Sequence, residues 1–327
     1  MKHVLVTGGA GYIGSHACKL LLQKGYVPVS FDNLVTGWTS AVKFGPFIRG
    51  DLLDRGTLDA AFAEYEPVAV MHFAALSQVG ESTREPGRYW RNNVLGSLNL
   101  VEAMVESGCK QMVFSSTCAI YGDQDGVVLD EQSAQMPLSA YGASKRAVEE
   151  ILRDFGVSHA LRTVVFRYFN VAGADVDAEI GECHQPETHL IPVMIEVAAG
   201  AREALTIHGT DYPTPDGTCV RDYVHVMDLV DAHIKGLEWL QEGKGSRAFN
   251  LGTGTGFSVK EVIAEGKAAT GHDVPHNYGP RRAGDAAALV SGSRRAAEEL
   301  GWTPERSTLQ QMIADAWRWY RTGGYFR

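Results

Sequence analysis

Cysteine is scarce in this 327-residue sequence and poorly placed for cross-linking. The five cysteines, Cys18, Cys109, Cys118, Cys183 and Cys219, are odd in number, widely spaced and never in a C-x-x-C pair. That excludes a disulfide framework and predicts reduced thiols in a cytoplasmic protein. Cys183, His184 and His189 lie close together but lack matching ligand spacing, so no metal is expected. Long apolar runs are missing too. None approaches the roughly 20 residues of a membrane helix, and Thr7-Gly8-Gly9 ends the run Val4-Leu5-Val6 before a signal-peptide pattern forms. Positive charge is short: 30 Lys and Arg against 39 Asp and Glu leave a net charge of −9. Such a chain does not hold a phosphate polymer across a broad face, so no nucleic acid and no anionic membrane is expected as a partner. A local basic pocket remains allowed. Internal repeats and low-complexity tracts are absent as well.

What is present is ordinary globular material, 45% apolar and 21% charged, enough for a sizeable core. The length suits about two domains or one large one. The first half alternates short apolar runs with helical periodicity. Strands are predicted at 4–6, 27–31, 47–48, 68–73, 112–114 and 163–166. Helices are predicted at 12–24, 54–65, 88–107 and 141–155, the third ending at Gly108 as a C-cap. Near-continuous apolar strands separated by helices predict an α/β fold, a Rossmann-type doubly wound parallel sheet. After about Asn170 the pattern changes. Residues 173–187 read as a polar loop, and further helices fall near 192–199, 228–240, 259–269 and 308–320. This predicts a first domain over 1–170 and a smaller C-terminal α/β substrate domain over 171–327. Phe249-Asn250-Leu251 again looks like buried strand, so a segment of about 225–255 returns to the first domain.

Thr7-Gly8-Gly9-Ala10-Gly11-Tyr12-Ile13-Gly14 sits between the first strand and first helix. Gly9, Gly11 and Gly14 satisfy G-x-G-x-x-G; Gly8, Gly11 and Gly14 satisfy the looser G-x-x-G-x-x-G. Glycines permit a tight turn and close approach to a pyrophosphate, which the free N–H groups of the helix N-terminus then bind. Asp32 ends the second strand, where a carboxylate accepts from both ribose hydroxyls and repels a 2′-phosphate. The predicted cofactor is therefore NAD rather than NADP. Tyr141 and Lys145 stand at i and i+4, on one helix face. A cation there is expected to lower the phenol pKa toward working pH. Thr117 closes the preceding strand, where its hydroxyl can hold a substrate oxygen beside Tyr141.

These motifs, with Asp32-Asn33, His72-Phe73-Ala74-Ala75, Ser115-Ser116-Thr117, Tyr121-Gly122-Asp123 and Arg167-Tyr168-Phe169-Asn170, resemble the extended short-chain dehydrogenase/reductases. The C-terminal half narrows the match. Asp211-Tyr212-Pro213-Thr214, Asp216-Gly217-Thr218, Val220-Arg221-Asp222-Tyr223-Val224-His225 and Arg281-Arg282-x-Gly284-Asp285 resemble the UDP-glucose/UDP-galactose 4-epimerase family. The resemblance runs from residue 3 to about 320. It implies reversible inversion at C4 of a UDP-sugar through a 4-keto intermediate, with tightly bound NAD. Tyr141 takes the 4-hydroxyl proton, Thr117 holds that oxygen, and Lys145 holds the nicotinamide ribose and depresses the Tyr141 pKa. Tyr12 and Ile13 line the pyrophosphate, Asp51 and Leu52 meet the adenine, and Phe73 and Asn92 flank the cofactor. Asn33, Ala74, Ala75, Ser77, Ser115 and Tyr168 complete the cofactor set. Asn170, Arg221, Arg282 and Asp285 hold the UDP part; Phe169, His189, Leu190, Thr206, His208 and Leu289 complete the substrate set. Independently of the resemblance, guanidinium forks at Arg221 and Arg282 suit a diphosphate. The family also implies a homodimer formed by the 88–107 and 141–155 helices.

Some positions depart from the family pattern. Ser77 stands where many members carry Lys, His189 where some have Asn, and His208 where some have Phe near the uracil. Leu289 replaces a Tyr that narrows the sugar pocket in some members, so UDP-N-acetylhexosamine and the pentoses UDP-xylose and UDP-arabinose are alternative substrates. A nucleotide-sugar dehydratase is the rival enzyme. Related dehydratases carry carboxylates directly after the active-site Thr; Cys118 and Ala119 follow here. A non-catalytic NAD-binding protein is the other rival, and the intact Tyr141, Lys145 and Thr117 argue against it.

Overall fold

The computed structural model describes residues 2–124, 128–282 and 285–326. Its main feature is a seven-stranded sheet. Written in spatial order by first residue, the strands are Arg247–Leu251, Arg162–Tyr168, Gln111–Ser115, Ala69–His72, His3–Thr7, Val27–Asp32 and Phe47–Arg49. Every pairing in it is parallel. The strands are buried because helices cover both faces. On one face Val4, Val6 and Met71 pack with Ala17, Leu21, Leu229 and Leu237. On the other, Leu5, Val70 and Phe114 pack with Leu58, Phe62, Leu100, Met104 and Leu152. The chain reverses its direction of winding between His3–Thr7 and Ala69–His72, which opens a crevice at the carboxyl ends of those two strands.

Local chemistry sets the helix boundaries. Asp54 caps Arg55–Tyr65 by accepting from the Thr57 N–H at 3.3 Å, and Ser139 caps Ala140–His159 by accepting from Gly142 N–H at 3.2 Å. The expected 88–107 helix is built in three pieces: Pro86–Tyr89, a π-helical turn over Trp90–Leu95, and Gly96–Ser107, which stops at Gly108 with φ of +80°. The 141–155 helix runs on to His159. Two short helices, Val79–Arg84 and Arg294–Leu300, were too brief to show a period.

Beyond the first sheet, Val220–His225 organises a smaller one. It lies between Gly256–Ser258 and Ala288–Ser291, which in turn pairs with Val128–Leu129; Asn170–Ala172 adds to the far half of Val220–His225. Leu205–His208 and His276–Gly279 form a separate parallel pair. The Val226–Gln241 helix joins the core of the large sheet, and Arg247–Leu251 becomes its edge strand beside Arg162–Tyr168. Among the described residues no helix is long and apolar enough to cross a membrane.

Candidate active site

A cleft of about 1070 Å³ runs along the carboxyl ends of the large sheet and on to the smaller one. That exceeds the roughly 300–1,000 Å³ of common ligand pockets and gives room for two nucleotide-sized molecules. Every site residue expected from the sequence lines this cleft. Gly284 of the C-terminal motif lies outside the described residues.

At one end the glycine loop forms a tight turn in which Gly8 and Gly14 have no room for a side chain. Gly8 has φ of +74°, and a Cβ there would stand 2.7 Å from the Ala74 amide nitrogen. A Cβ on Gly14 would meet the Gly8 carbonyl oxygen at 2.1 Å. The Tyr12–Gln23 helix starts at Gly11 with no side-chain cap and no acidic residue in its first turn, so its N–H groups and positive dipole end stay open to an anion. Asp32 is buried at the end of its strand. It accepts from Ala10 N–H at 3.1 Å and Leu34 N–H at 2.8 Å, and burial pushes its carboxyl upward. Asn33 donates to Asp51 Oδ2 at 2.9 Å, which joins two of the expected adenosine-side residues. These residues fit a dinucleotide: a glycine turn leading into an uncapped helix N-terminus, with a buried carboxylate where the ribose would lie. The Tyr12 hydroxyl points elsewhere, donating to the Gly173 carbonyl at 2.7 Å.

At the centre, Thr117 Oγ1 accepts from the Ala119 amide at 3.1 Å and bonds with the Tyr141 phenol. Lys145, which is buried, donates to the Ser115 carbonyl at 2.7 Å and lies 4.9 Å from the Phe114 ring centroid. Ser115 Oγ is hydrogen-bonded to the Tyr168 hydroxyl. The expectation of a lowered tyrosine pKa is corrected here for the protein without cofactor. Burial pushes Tyr141 up to about 12 against the Thr117 bond that favours phenolate, and burial drops Lys145 to about 7. The Lys145 amine is turned to the Ser115 carbonyl, and burial and Thr117 rather than Lys145 are the main influences on the phenol here.

Toward the smaller sheet, Arg221 and Arg282 both approach Asp285. The Arg221 Nη2 is 3.8 Å from its carboxylate, and Arg282 Nε donates to it at 2.9 Å. Arg282 is 58% exposed, so it reaches the cleft from its rim, while the Arg221 side chain is 15% exposed. Thr206 and His208 sit on one short strand, with His208 Nδ1 3.4 Å from the Pro280 carbonyl. Phe169 packs with Cys118, Ile120 and Tyr121, and Leu289 leans on that cluster. His189 caps the Leu190–Ala198 helix position without a side-chain cap bond.

Several neighbours of the site were given no role of their own by the sequence. His72 hydrogen-bonds Thr7 Oγ1 at 2.6 Å and Ser97 Oγ at 2.8 Å, and burial holds its imidazole down to about 3, so it stays neutral. Asn93 clasps the Leu76 backbone through both amide atoms and donates to Ser144 Oγ at 3.1 Å, one residue from Lys145. Glu149 accepts from Arg167 and from the hydroxyl of Ser116, the residue before Thr117. Glu182, His184 and Glu187 join His189 in a tight group, whereas Cys183 stands outside it and offers its carbonyl to Trp38 Nε1 at 2.8 Å. The metal-free expectation considered a cysteine-bearing set; the group that assembles is histidine and glutamate.

Residues 4–252 match the family described as NAD dependent epimerase/dehydratase. A UDP-glucose 4-epimerase of Rhizobium leguminosarum bv. trifolii is 49% identical over 317 residues, covering 97% of each chain. The crystal structure of the Brucella ovis UDP-glucose 4-epimerase in complex with NAD superposes with a TM-score of 0.94 at 47% identity, covering 97% of this chain and 98% of that one. The UDP-glucose-4-epimerase of Stenotrophomonas maltophila, with bound NAD and formylated UDP-arabinopyranose, gives 0.95 at 40% identity over 99% of both chains.

Proposed function

This chain belongs to the NAD dependent epimerase/dehydratase family, and we propose that it interconverts UDP-galactose and UDP-glucose by inversion at C4, with NAD retained throughout. One observation carries the reading: the dinucleotide cradle, the Thr117–Tyr141–Lys145 group and Arg221 share one continuous cleft. A reaction that borrows and returns a hydride needs cofactor and sugar in one enclosure, with no route for the reduced carrier to leave.

Gly8, Gly11, Gly14, Tyr12 and Ile13 would hold the pyrophosphate of NAD. Asp32 and Asn33 would take the adenosine ribose, Asp51 and Leu52 the adenine, and Lys145 the nicotinamide ribose. Phe73, Ala74, Ala75, Ser77, Asn92, Ser115 and Tyr168 line the same seat. When bound, NAD supplies a hydride acceptor at sugar C4 and a positive charge beside Tyr141. That charge is needed, because burial alone keeps the phenol protonated. Tyr141 Oη takes the proton from the sugar 4-hydroxyl, and Thr117 Oγ1 holds that oxygen in line. With both the hydride and the proton gone, C4 is a ketone. The sugar turns about its link to the diphosphate and presents its other face. The hydride held at the bound cofactor would go back to the newly presented face of C4 as Tyr141 returns the proton to the same oxygen, which restores the alcohol, so atoms and electrons balance with no net oxidation.

Arg221, Arg282, Asp285 and Asn170 would anchor the UDP part during that turn, with Thr206 and His208 at its base. Phe169, His189, Leu190 and Leu289 border the sugar. Leu289, in place of the Tyr of some members, favours a second substrate reading, a UDP-N-acetylhexosamine or a pentose. In domain terms, residues 1–170 would carry NAD and 171–327 mainly the UDP-sugar, with about 225–255 returning to the first. A homodimer is part of the proposal: Trp90, Leu95 and Val157 are 43, 46 and 87% exposed on the two helices named for that contact. Free, mostly buried thiols suit the cytoplasm.

The test is incubation with UDP-galactose and no added cofactor. UDP-glucose appearing without released NADH supports the reading. No conversion, even with added NAD, sinks it, and turnover of UDP-N-acetylgalactosamine alone would move the assignment to the second sugar.

A further inference from the structure

Glu182, His184, Glu187 and His189 converge on the cleft wall from a single loop. One ligand-capable atom from each lies within 4.8 Å of all the others. His184 Nδ1 is shielded from solvent and stands 3.3 Å from Glu182 Oε1 and 3.5 Å from Glu187 Oε2, within ion-pair distance of both carboxylates. His189 Nδ1 stands 3.0 Å from the same Glu182 oxygen and 3.0 Å from Glu187 Oε1. Metal–ligand bonds of about 2.0–2.2 Å put the corners of a tetrahedron about 3.3–3.6 Å apart. The four histidine–carboxylate separations are close to that edge length, and His184 Nδ1 faces both carboxylates.

The loop is held from outside the group. Trp38 Nε1 donates to the Cys183 carbonyl at 2.8 Å, Trp319 Nε1 to the Glu182 carbonyl at 3.2 Å, and Gly181 N–H to the Tyr325 hydroxyl at 3.3 Å. Glu187 Oε1 accepts from the Thr188 and His189 amides at 2.7 and 2.9 Å, which fixes its direction. A preset loop with oriented carboxylates is what a metal site requires of its surroundings. The contrast lies nearby: Asp175, Asp177 and Glu179 also cluster, but Lys19 Nζ fills their centre at 2.8, 3.0 and 2.7 Å. No lysine or arginine pairs with the histidine–glutamate group among the described residues.

We propose that Glu182, His184, Glu187 and His189 bind one divalent transition cation, Zn²⁺ or a neighbour such as Co²⁺, on the wall of the cleft. Two imidazoles and two carboxylates suit a borderline cation and exclude a preference for Mg²⁺, which takes oxygen ligands in an octahedron. The ion would pin the loop carrying His189 to the start of the Leu190–Ala198 helix. The proposal is independent of which sugar the enzyme prefers.

The test uses the full chain with its retained NAD, stripped with a chelator and then given ZnSO₄, CoCl₂ or MgCl₂. Elemental analysis after gel filtration should find one Zn²⁺ or Co²⁺ per chain and no Mg²⁺. The Co²⁺ form should show the visible absorption of a tetrahedral ion. His184→Ala and Glu182→Gln should each weaken Zn²⁺ binding at least tenfold while NAD content stays that of the parent. Absence of both the retained ion and the Co²⁺ band in the parent overturns the proposal, whatever the variants do. Equal retention of Mg²⁺, or variants that keep NAD and bind Zn²⁺ as tightly as the parent, overturn it as well.

Discussion

Glu149 lies one turn beyond Lys145 on the Ala140–His159 helix and supports the strand end that carries Thr117. Its carboxylate accepts from Arg167 Nη2 at 2.6 Å and Nε at 3.1 Å, and from Ser116 Oγ at 2.5 Å. The two charged side chains are only 7% and 11% exposed. Glu149→Ala strands the guanidinium, which keeps only the Tyr121 hydroxyl at 3.1 Å and the Glu131 carbonyl at 3.4 Å. Removing one partner of a buried pair costs about 3–5 kcal/mol, and the orphaned Ser116 hydroxyl adds about 1 kcal/mol. Urea denaturation followed by circular dichroism should therefore show a loss of about 3–6 kcal/mol at an unchanged slope. The double variant Glu149→Leu/Arg167→Met removes both charges at similar volume, a change that is commonly neutral or stabilising. It should recover most of that loss. A single-variant loss below about 1 kcal/mol, the worth of an exposed pair, would refute the reasoning. So would a double variant no more stable than the single one. Catalysis gives an independent reading: Ser116 precedes Thr117, so kcat should fall more than KM rises in Glu149→Ala.

Three further outcomes follow from the site. Tyr141→Phe should lower kcat by about 10²–10⁴, the usual worth of a positioned acid–base group, while bound NAD measured after denaturation stays near one per chain; near-normal turnover would remove Tyr141 from the mechanism. Gly14→Ala places a Cβ 2.1 Å from the Gly8 carbonyl oxygen, so purified protein should lose its NAD, and full retention would show that the loop is not the phosphate seat. In the cofactor-stripped protein, Lys145 titrates near 7 when folded and near about 10.4 when unfolded, so between those values the unfolded chain holds more protons and stability rises with pH. The penalty of a buried ammonium is full below pH 7. Lys145→Met should therefore exceed the parent in urea midpoint most at about pH 6 and least at about pH 9, and a gap constant with pH would show that Lys145 keeps its proton.

The two halves of the cleft were unequally legible in the sequence, and the reason is physical. The cofactor cradle works through the backbone of one contiguous turn, so its requirement for bare Cα atoms at Gly8 and Gly14 is written in adjacent letters. The buried strands were legible for a similar reason, since covering both faces of a sheet forces continuous apolar runs such as Val4-Leu5-Val6. The π-helical turn at Trp90–Leu95 was not, because it goes with Asn93 bonds to Leu76 and Ser144, which are 17 and 51 residues away. The Tyr141–Lys145 spacing was visible, but the acidity of the pair was not. Helical spacing says which side chains share a face; it says nothing of how far water is excluded from them. Here burial outweighs their proximity and drives the tyrosine up and the lysine down. The Glu182–His189 group shows the same limit. Its members are near neighbours in sequence, yet a flexible loop with those letters would be an ordinary polar turn. Bonds from Trp38, Trp319 and Tyr325, more than 130 residues away, are what turn its side chains to a common point. Sequence therefore reports a site best where the backbone does the binding. Where distant elements must hold a loop in place, the chemistry can be read only from the folded chain.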